Sequence, residues 1–227
     1  MNASRQPENL AKWREQGWIL EPDTLQILRQ GGLDVVEHCR ALSIEEAVKF
    51  ARATGFPLVA KVVSPAIMHK SDVGGVATGI TSEQELAEHF DRFSRMEGFA
   101  GMLVARMIAG TELILGAKID GQFGPVVLLG IGGTGVEIYG DVAIRMAPLT
   151  REDVPAMAAS LEGHKLLEGF RRQDPVNIAE LTTTVLHFSE LVMKYRDQIE
   201  SADINPLICS AKKCIVADGR IILKKAE

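Results

Sequence analysis

Apolar residues along this chain recur either every three or four positions or every second position, and the switches between the two rhythms mark out a mixture of helices and strands. Residues 1–20 are largely polar with two tryptophans and read as an arm or peripheral helix, in which Trp13 and Trp18 pack rather than bind. From Asp23, the spacing of Leu25, Ile27 and Leu28 predicts a helix closed by Gly31-Gly32, then a short strand over Leu33 to Val36. Ser43-Ile-Glu-Glu46 is a capping box that opens a helix running to Gly55. A strand follows at Leu58 to Val63, then a loop, then a strand at Val76 to Ile80. Ser82-Glu-Gln-Glu85 caps a further helix with Leu86, Phe90 and Phe93 on one face.

Beyond Met102 the alternation tightens. Met102–Met107, Glu112–Gly116, Val126–Leu129 and Val142–Met146, separated by turn residues, predict an antiparallel meander. Thr150-Arg-Glu-Asp153 and Pro175-Val-Asn177 start two helices, the second with Leu181, Val185, Leu186, Leu191 and Val192 at helical spacing. A strand at Ile204 to Ile208 and a hairpin through Cys214 to Leu223 close the pattern. The elements describe an α/β (α+β) protein: an arm over 1–20, a small lobe over 21–104 and a large lobe over 105–227.

Composition narrows the function. The chain has 227 residues, 46% hydrophobic and 24% charged, with a net charge of -5. That balance argues against a general nucleic-acid binder, which needs a basic excess to displace counterions. No apolar run approaches the roughly 18 residues of a spanning helix, and the polar start lacks a signal peptide's apolar core, so no membrane is expected and the cytoplasm is. Cys39, Cys209 and Cys214 lack metal-ligand spacing and read as reduced structural thiols.

The chemistry concentrates in Ser64-Pro-Ala-Ile-Met-His-Lys-Ser-Asp-Val-Gly-Gly-Val76, entered from Pro57-Leu-Val-Ala-Lys-Val-Val63. Lys61 fixes a cation among apolar neighbours, Gly74 and Gly75 let backbone N–H groups approach an anion, and His69 offers a nitrogen nucleophile. Taken singly, Lys61 reads equally well as an ordinary strand lysine on a solvated face and His69 as an exposed loop residue. Gly130-Ile-Gly-Gly-Thr-Gly135 satisfies G-x-G-x-x-G, but the extended pattern after it is not the helix a dinucleotide fingerprint needs, although such a turn can still bring backbone donors to a ligand near Glu137 and Asp141. Asp203 and Asn205 alternate onto one face of a strand. If the hairpin pairs with it, Asp218 joins them as three hard oxygen ligands for Mg²⁺; the alternative is a plain turn. Arg145 faces either phosphate or Glu137 and Asp141. His38, His89, His164 and His187 are assigned no chemistry.

Taken in order, Lys61, His69-Lys-Ser-Asp-Val-Gly-Gly75, Gly110-Thr-Glu-Leu-Ile-Leu-Gly116, Phe123-Gly-Pro125, Arg145-Met-Ala-Pro-Leu149 and Asp203-Ile-Asn-Pro-Leu207 resemble the ATP-grasp β subunit of ADP-forming acetyl-CoA synthetases. The succinyl-CoA synthetase β subunit is similar but more distant. The resemblance covers roughly residues 20 to 225 and implies an ATP-grasp fold of two α/β lobes with the nucleotide between them. It implies ATP/ADP and Mg²⁺ as cofactors, and phosphate moving between ATP and an acyl phosphate through a phosphohistidine. On that pattern His69 carries the phosphoryl group and Arg145 assists; Lys61 binds phosphate under a loop of Gly74, Gly75 and Val76. Ala105 and Arg106 stand at the nucleotide hinge, Glu112 lies beside the nucleotide, and Asp203, Asn205 and Asp218 take the Mg²⁺ positions. Nothing in the chain resembles the CoA-binding and acyl-phosphate-forming domains, so the resemblance also implies a CoA-binding α subunit in an α2β2 hetero-oligomer, with an exposed apolar surface to receive it.

Two positions depart from the family. Ala105 stands where it usually has glutamine or glutamate, and Gly219 separates Asp218 from Arg220. The first keeps open a rival expectation, a regulatory module that binds ATP or ADP without transferring phosphate. A ligase acting alone on a carboxylate and an amine is a third.

Overall fold

The computed structural model describes residues 10–133, 140–169 and 174–225. In chain order its strands are β1 (Trp18–Ile19), β2 (His38–Ala41), β3 (Leu58–Val62), β4 (Val76–Ile80), β5 (Met102–Arg106), β6 (Thr111–Asp120), β7 (Gly124–Ile131), β8 (Val142–Met146), β9 (Ile199–Cys209), β10 (Cys214–Val216) and β11 (Gly219–Leu223). Its helices are α1 (Glu21–Gln30), α2 (Ile44–Thr54), α3 (Glu83–Ser94), α4 (Asp153–Ser160) and α5 (Ile178–Tyr195). The chain forms two compact units. The smaller takes in Leu20–Asp23 and Val36–Ala109, the larger the described residues of Met1–Ile19, Thr24–Val35 and Gly110–Glu227.

In the smaller unit, an antiparallel sheet of order β2-β5-β3-β4 carries α2 and α3 on one face. Ala47 and Ala51 on α2 bring that helix close to Ala60, Val62, Met102 and Val104, while Leu86 and Phe93 of α3 fill the rest of the core. Both predicted caps form: Ser43 Oγ accepts the Glu46 N–H and Ser82 Oγ accepts the Glu85 N–H. Glu46 and Glu85 reach back to the Leu42 and Thr81 N–H groups at 2.7 and 2.8 Å, satisfying donors the helices leave open.

The larger unit is a seven-stranded antiparallel sheet of order β1-β11-β9-β6-β7-β8, with β10 also on β9. Leu113, Leu115, Val127, Leu129, Ala202 and Ile204 alternate onto one buried face. On that side α5 packs against β6, β7 and β9, and α4 against β7 and β8. Asn177 Oδ1 caps α5 by accepting the Ala179 and Glu180 N–H groups at 3.1 and 3.2 Å. Trp13 and Trp18 are buried, and Trp18 pairs with Ile222 as β1 joins the sheet edge, so the described part of the expected arm is sheet and 3-10 turn packed into the larger unit.

Two strand expectations change. The meander loses its first member: β5 pairs with β2 and β3 in the smaller sheet, and only β6, β7 and β8 run on as neighbours. Alternation alone does not say which sheet a strand joins. Leu33 to Val36 is not a strand but carries an isolated bridge, Val35 to Val216; Leu33 and Val36 are loop anchors buried by their apolar side chains, and the ladder starts at His38. Gly130 pairs with Val142 across an antiparallel β7–β8 connection, which removes the parallel crossover of a dinucleotide fold. Residues 134–139 of that connection, Glu137 included, lie outside the described residues.

Phe188 is fully buried under the large sheet, whereas Phe123 is 61% exposed at a turn. Urea unfolding should show Phe188→Ala losing about 3–5 kcal/mol and Phe123→Ala staying within about 0.5 kcal/mol of the parent.

Candidate functional site

Strand alternation sorts the predicted nucleotide residues of the smaller unit. Ala60, Val62 and Val104 face α2 and α3, so Lys61 and Ala105 project to the opposite face. Register sets Lys61 opposite Val76 on β4 and Leu103 on β5, and Ala105 opposite Val59. Lys61, Val76 and Ala105 therefore share one side. Arg106, opposite Leu58, has the other parity and is exposed at the end of β5, where its N–H donates to Glu37 O.

Lys61 does not stand as a simple phosphate lysine. Its Nζ donates to Glu21 Oε1 at 2.7 Å, and Lys70 Nζ donates to Glu21 Oε2. The side chains of Glu21, Lys61 and Lys70 are 2%, 9% and 13% exposed. One carboxylate thus sits between the buried Lys61 ammonium and the half-buried Lys70 ammonium, in a setting where charge is poorly screened. Burial alone would push the Glu21 carboxyl up, but the charges and hydrogen bonds of Lys61 and Lys70 outweigh it and hold the group below its ordinary value.

The loop from Ser64 to Gly75 hangs between two fixed ends. Ser64 Oγ donates to Glu97 O at 2.7 Å, and Gly75 N–H donates to Lys70 O at 2.7 Å while Gly75 O accepts the Val62 N–H. His69 is exposed at its tip, beside the exposed Met68. Gly74 has φ +68°, and a Cβ at Gly75 would sit 2.5 Å from Val62 Cγ1, so both glycines are required by the turn itself. Their N–H groups donate to Ser71 O and Lys70 O. The expected anion cradle is thus a self-satisfied turn, and it is Lys61 and Lys70 that bring positive charge to this end of the loop.

In the larger unit, Glu112 and Asp203 lie on the sheet face away from α4 and α5. Asp203 pairs with Gly116 on β6 and with Arg220 on β11, whose Nε donates to Asp203 Oδ1 at 3.1 Å. Asn205 is exposed two residues further along β9. The pairs Val216–Leu207 and Gly219–Ile204 bracket the hairpin, and the register between them sets Asp218 across from Asn205. The three side chains expected to hold Mg²⁺ are thereby neighbours on two adjacent strands, offering two carboxylates and an amide, a hard-oxygen set suited to that ion. Glu112 packs at the glycine-rich turn, where its O accepts the Gly132 N–H at 2.7 Å; a Cβ at Gly132 would strike the Glu112 backbone at 2.7 Å.

Arg145 is not brought to that face. It pairs with Val127 on the helix-covered side, donates to Ile144 O at 2.9 Å, and stands near Asp153. The Asp153 carboxyl is held low by the Thr150 N–H and hydroxyl and, more weakly, by Arg145. Asp141 likewise serves the fold, accepting the Glu162 and Gly163 N–H groups at 2.8 Å each. Sequence reasoning missed Glu21. The one local signal is an acidic residue opening a helix just before Pro22, which says nothing of partners some forty and fifty positions away.

With this geometry in place, comparison with known proteins is specific. A family profile described as "ATP-grasp domain" matches residues 10–223. The "Acetate--CoA ligase [ADP-forming] I subunit beta" of Pyrococcus furiosus is 38% identical over 213 residues, covering 90% of this chain and 91% of that one. The 4-hydroxybutyrate--CoA ligase [ADP-forming] of Nitrosopumilus maritimus is 35% identical over 89% of this chain, which spans 30% of that longer protein. Among solved structures, the dinucleotide forming acetyl-coenzyme A synthetase 1 of Ca. Korarchaeum cryptofilum, in complex with coenzyme A, Ca-AMPCP and HgCl+, superposes with a TM-score of 0.87 at 37% identity, covering 95% of this chain and 98% of that one. Two further structures of that protein, each with a TM-score of 0.82, hold a phosphorylated phosphohistidine segment in "site I orientation" and, with Mg-AMPPCP, a segment pointing towards the nucleotide-binding site.

The ion cluster makes an acid-sensitivity test possible. Glu21 has a folded-state pKa below its unfolded one, so its ionised form is the one folding favours. That contribution is complete above the ordinary value of 4.5 and is lost as pH falls through the lowered folded value. Urea midpoints measured from pH 7 downward should therefore fall less steeply below pH 4.5 in Glu21→Gln than in the parent, with Glu21→Gln already about 3–5 kcal/mol less stable at pH 7.

Proposed function

This chain belongs to the ATP-grasp family, and on that premise we propose that it is the nucleotide-handling β subunit of an ADP-forming acyl-CoA synthetase. The reaction is acyl-CoA + ADP + Pi ⇌ carboxylate + CoA + ATP, completed with a CoA-binding α subunit. The observation that carries the reading is the exposed His69 on a loop whose next residue shares a buried carboxylate with Lys61.

In the ATP-consuming direction, a ring nitrogen of His69 attacks the γ-phosphorus. The N–P bond forms as the bond to the β,γ-bridging oxygen breaks, and that oxygen leaves with its electron pair as part of ADP. Lys61 stabilises the charge on the phosphoryl oxygens, since such a transfer needs positioned cations more than any other contribution. Asp203, Asn205 and Asp218 are the residues that would hold Mg²⁺, which when bound neutralises phosphate charge. A carboxylate oxygen of the acid then takes the phosphoryl group from His69 to give an acyl phosphate, and the CoA thiol displaces phosphate from the acyl carbon. Those last steps use groups the partner chain brings. The 64–75 segment, which carries His69, is this chain's phosphohistidine segment. Glu112 contributes beside the nucleotide, and Val76 and Ala105 line its approach, while Arg106 takes no side-chain part because its strand parity turns it from that side. An α2β2 assembly is part of the same reading. Arg145 takes no part in it, because its strand turns it to the helix-covered side.

Incubation with γ-labelled ATP and Mg²⁺, with and without the CoA-binding partner, tests the proposal. Wild type should acquire acid-labile, base-stable label, and His69→Ala none. Lys61→Met should weaken ATP binding about tenfold or more, the scale of one lost charge-assisted hydrogen bond. Asp218→Asn should raise the Mg²⁺ needed for half-maximal labelling. ATP binding without label, even with the partner present, sinks the reading in favour of a nucleotide sensor.

A further inference from the structure

Glu21 takes a lysine on each of its two carboxylate oxygens: Lys61 on Oε1, with both side chains buried, and Lys70 on Oε2. Lys70 brings its ammonium there at the cost of its own hydration and of repulsion from Lys61. The backbone shows what this second contact does. Lys70 is the residue after His69, and the stretch from Ile67 to Lys70 lies between the Ser64 anchor and the Gly75 turn. Because the two ammonium groups take the two oxygens of one carboxylate, Lys70 fastens the tip of the loop beside the lysine assigned to phosphate.

We propose that Glu21 is a positioning residue, a latch that holds the His69 segment at Lys61 through Lys70. This rests on His69 being the phosphoryl carrier. Carrying phosphate from nucleotide to partner requires the segment to leave Lys61, and the latch sets how often it does so. Glu21 touches no reacting atom; it acts on His69 through one side chain.

The test combines hydrogen exchange over residues 66–73 with the single-turnover rate of His69 labelling from ATP and Mg²⁺, in Glu21→Gln, Lys70→Met, the double variant and Lys70→Arg. Lys70→Met leaves the neutral Lys61–Glu21 pair in place, so it keeps the test decisive if Glu21→Gln fails to fold. The expected result is segment exchange about tenfold faster and labelling about tenfold slower in each single variant, the scale of one lost charge-assisted hydrogen bond. The double variant should be no worse than either single one, and Lys70→Arg should restore both readouts. Unchanged exchange in Lys70→Met overturns the latch. Faster exchange with labelling at the wild-type rate overturns its role in positioning His69. Faster exchange in a protein whose wild type takes no label leaves the latch standing and removes the catalytic reading instead.

Discussion

The carboxylate of Glu21 is the point from which the smaller unit's chemistry is organised. A buried lysine next to a strand core is tolerable only with a counter-charge, and Glu21 supplies it from the first turn of α1. With that counter-charge in place, Lys61 projects from β3 on the side away from α2 and α3. The same carboxylate then ties down a loop whose tip is otherwise exposed. A single acidic side chain thus meets both the lysine proposed to bind phosphate and the residue that follows the proposed nucleophile.

Each unit presents one sheet face in the same way. An antiparallel sheet buries one parity of residues under two helices and presents the other. In the smaller sheet the presented parity is Lys61, Val76 and Ala105; in the larger it is Glu112, Ile114, Gly116, Asp203 and Arg220. The buried parities are nearly all aliphatic or alanine, so the cores fix register, and register fixes the neighbours of each polar side chain. Ala105 is itself buried, so β5 presents no polar side chain at that position.

Much of this was legible in the sequence, and the reasons it was so are local. Capping boxes at Ser43 and Ser82 need only a few consecutive residues, as does the Asn177 cap. The grouping of Asp203, Asn205 and Asp218 follows from alternation plus a hairpin, both short-range. What was not legible is long-range. The assignment of β5 to the smaller sheet depends on partners β2 and β3, not on its own pattern. Arg145 is turned away because Val127 and Ala143 fix the parity of β8, which a lone arginine on a strand does not disclose. Glu21 is invisible because its partners are brought to it only by the closed fold. Gly74 and Gly75 are required by the turn, and their donors serve it.

The hairpin of β9 with β10 and β11 makes arithmetic part of the proposed metal site. Asp218 meets Asn205 because an odd interval separates them along an antiparallel pair whose partners run from Cys209–Cys214 to Gly219–Ile204. Insert or remove one residue anywhere between them without a compensating bulge, and Asp218 either faces the helices or slides to a different neighbour. A chain could then keep every one of these residue types and still lack the constellation. Judging whether a distant homologue retains this site is therefore a matter of counting the residues between the two positions, with identity coming second.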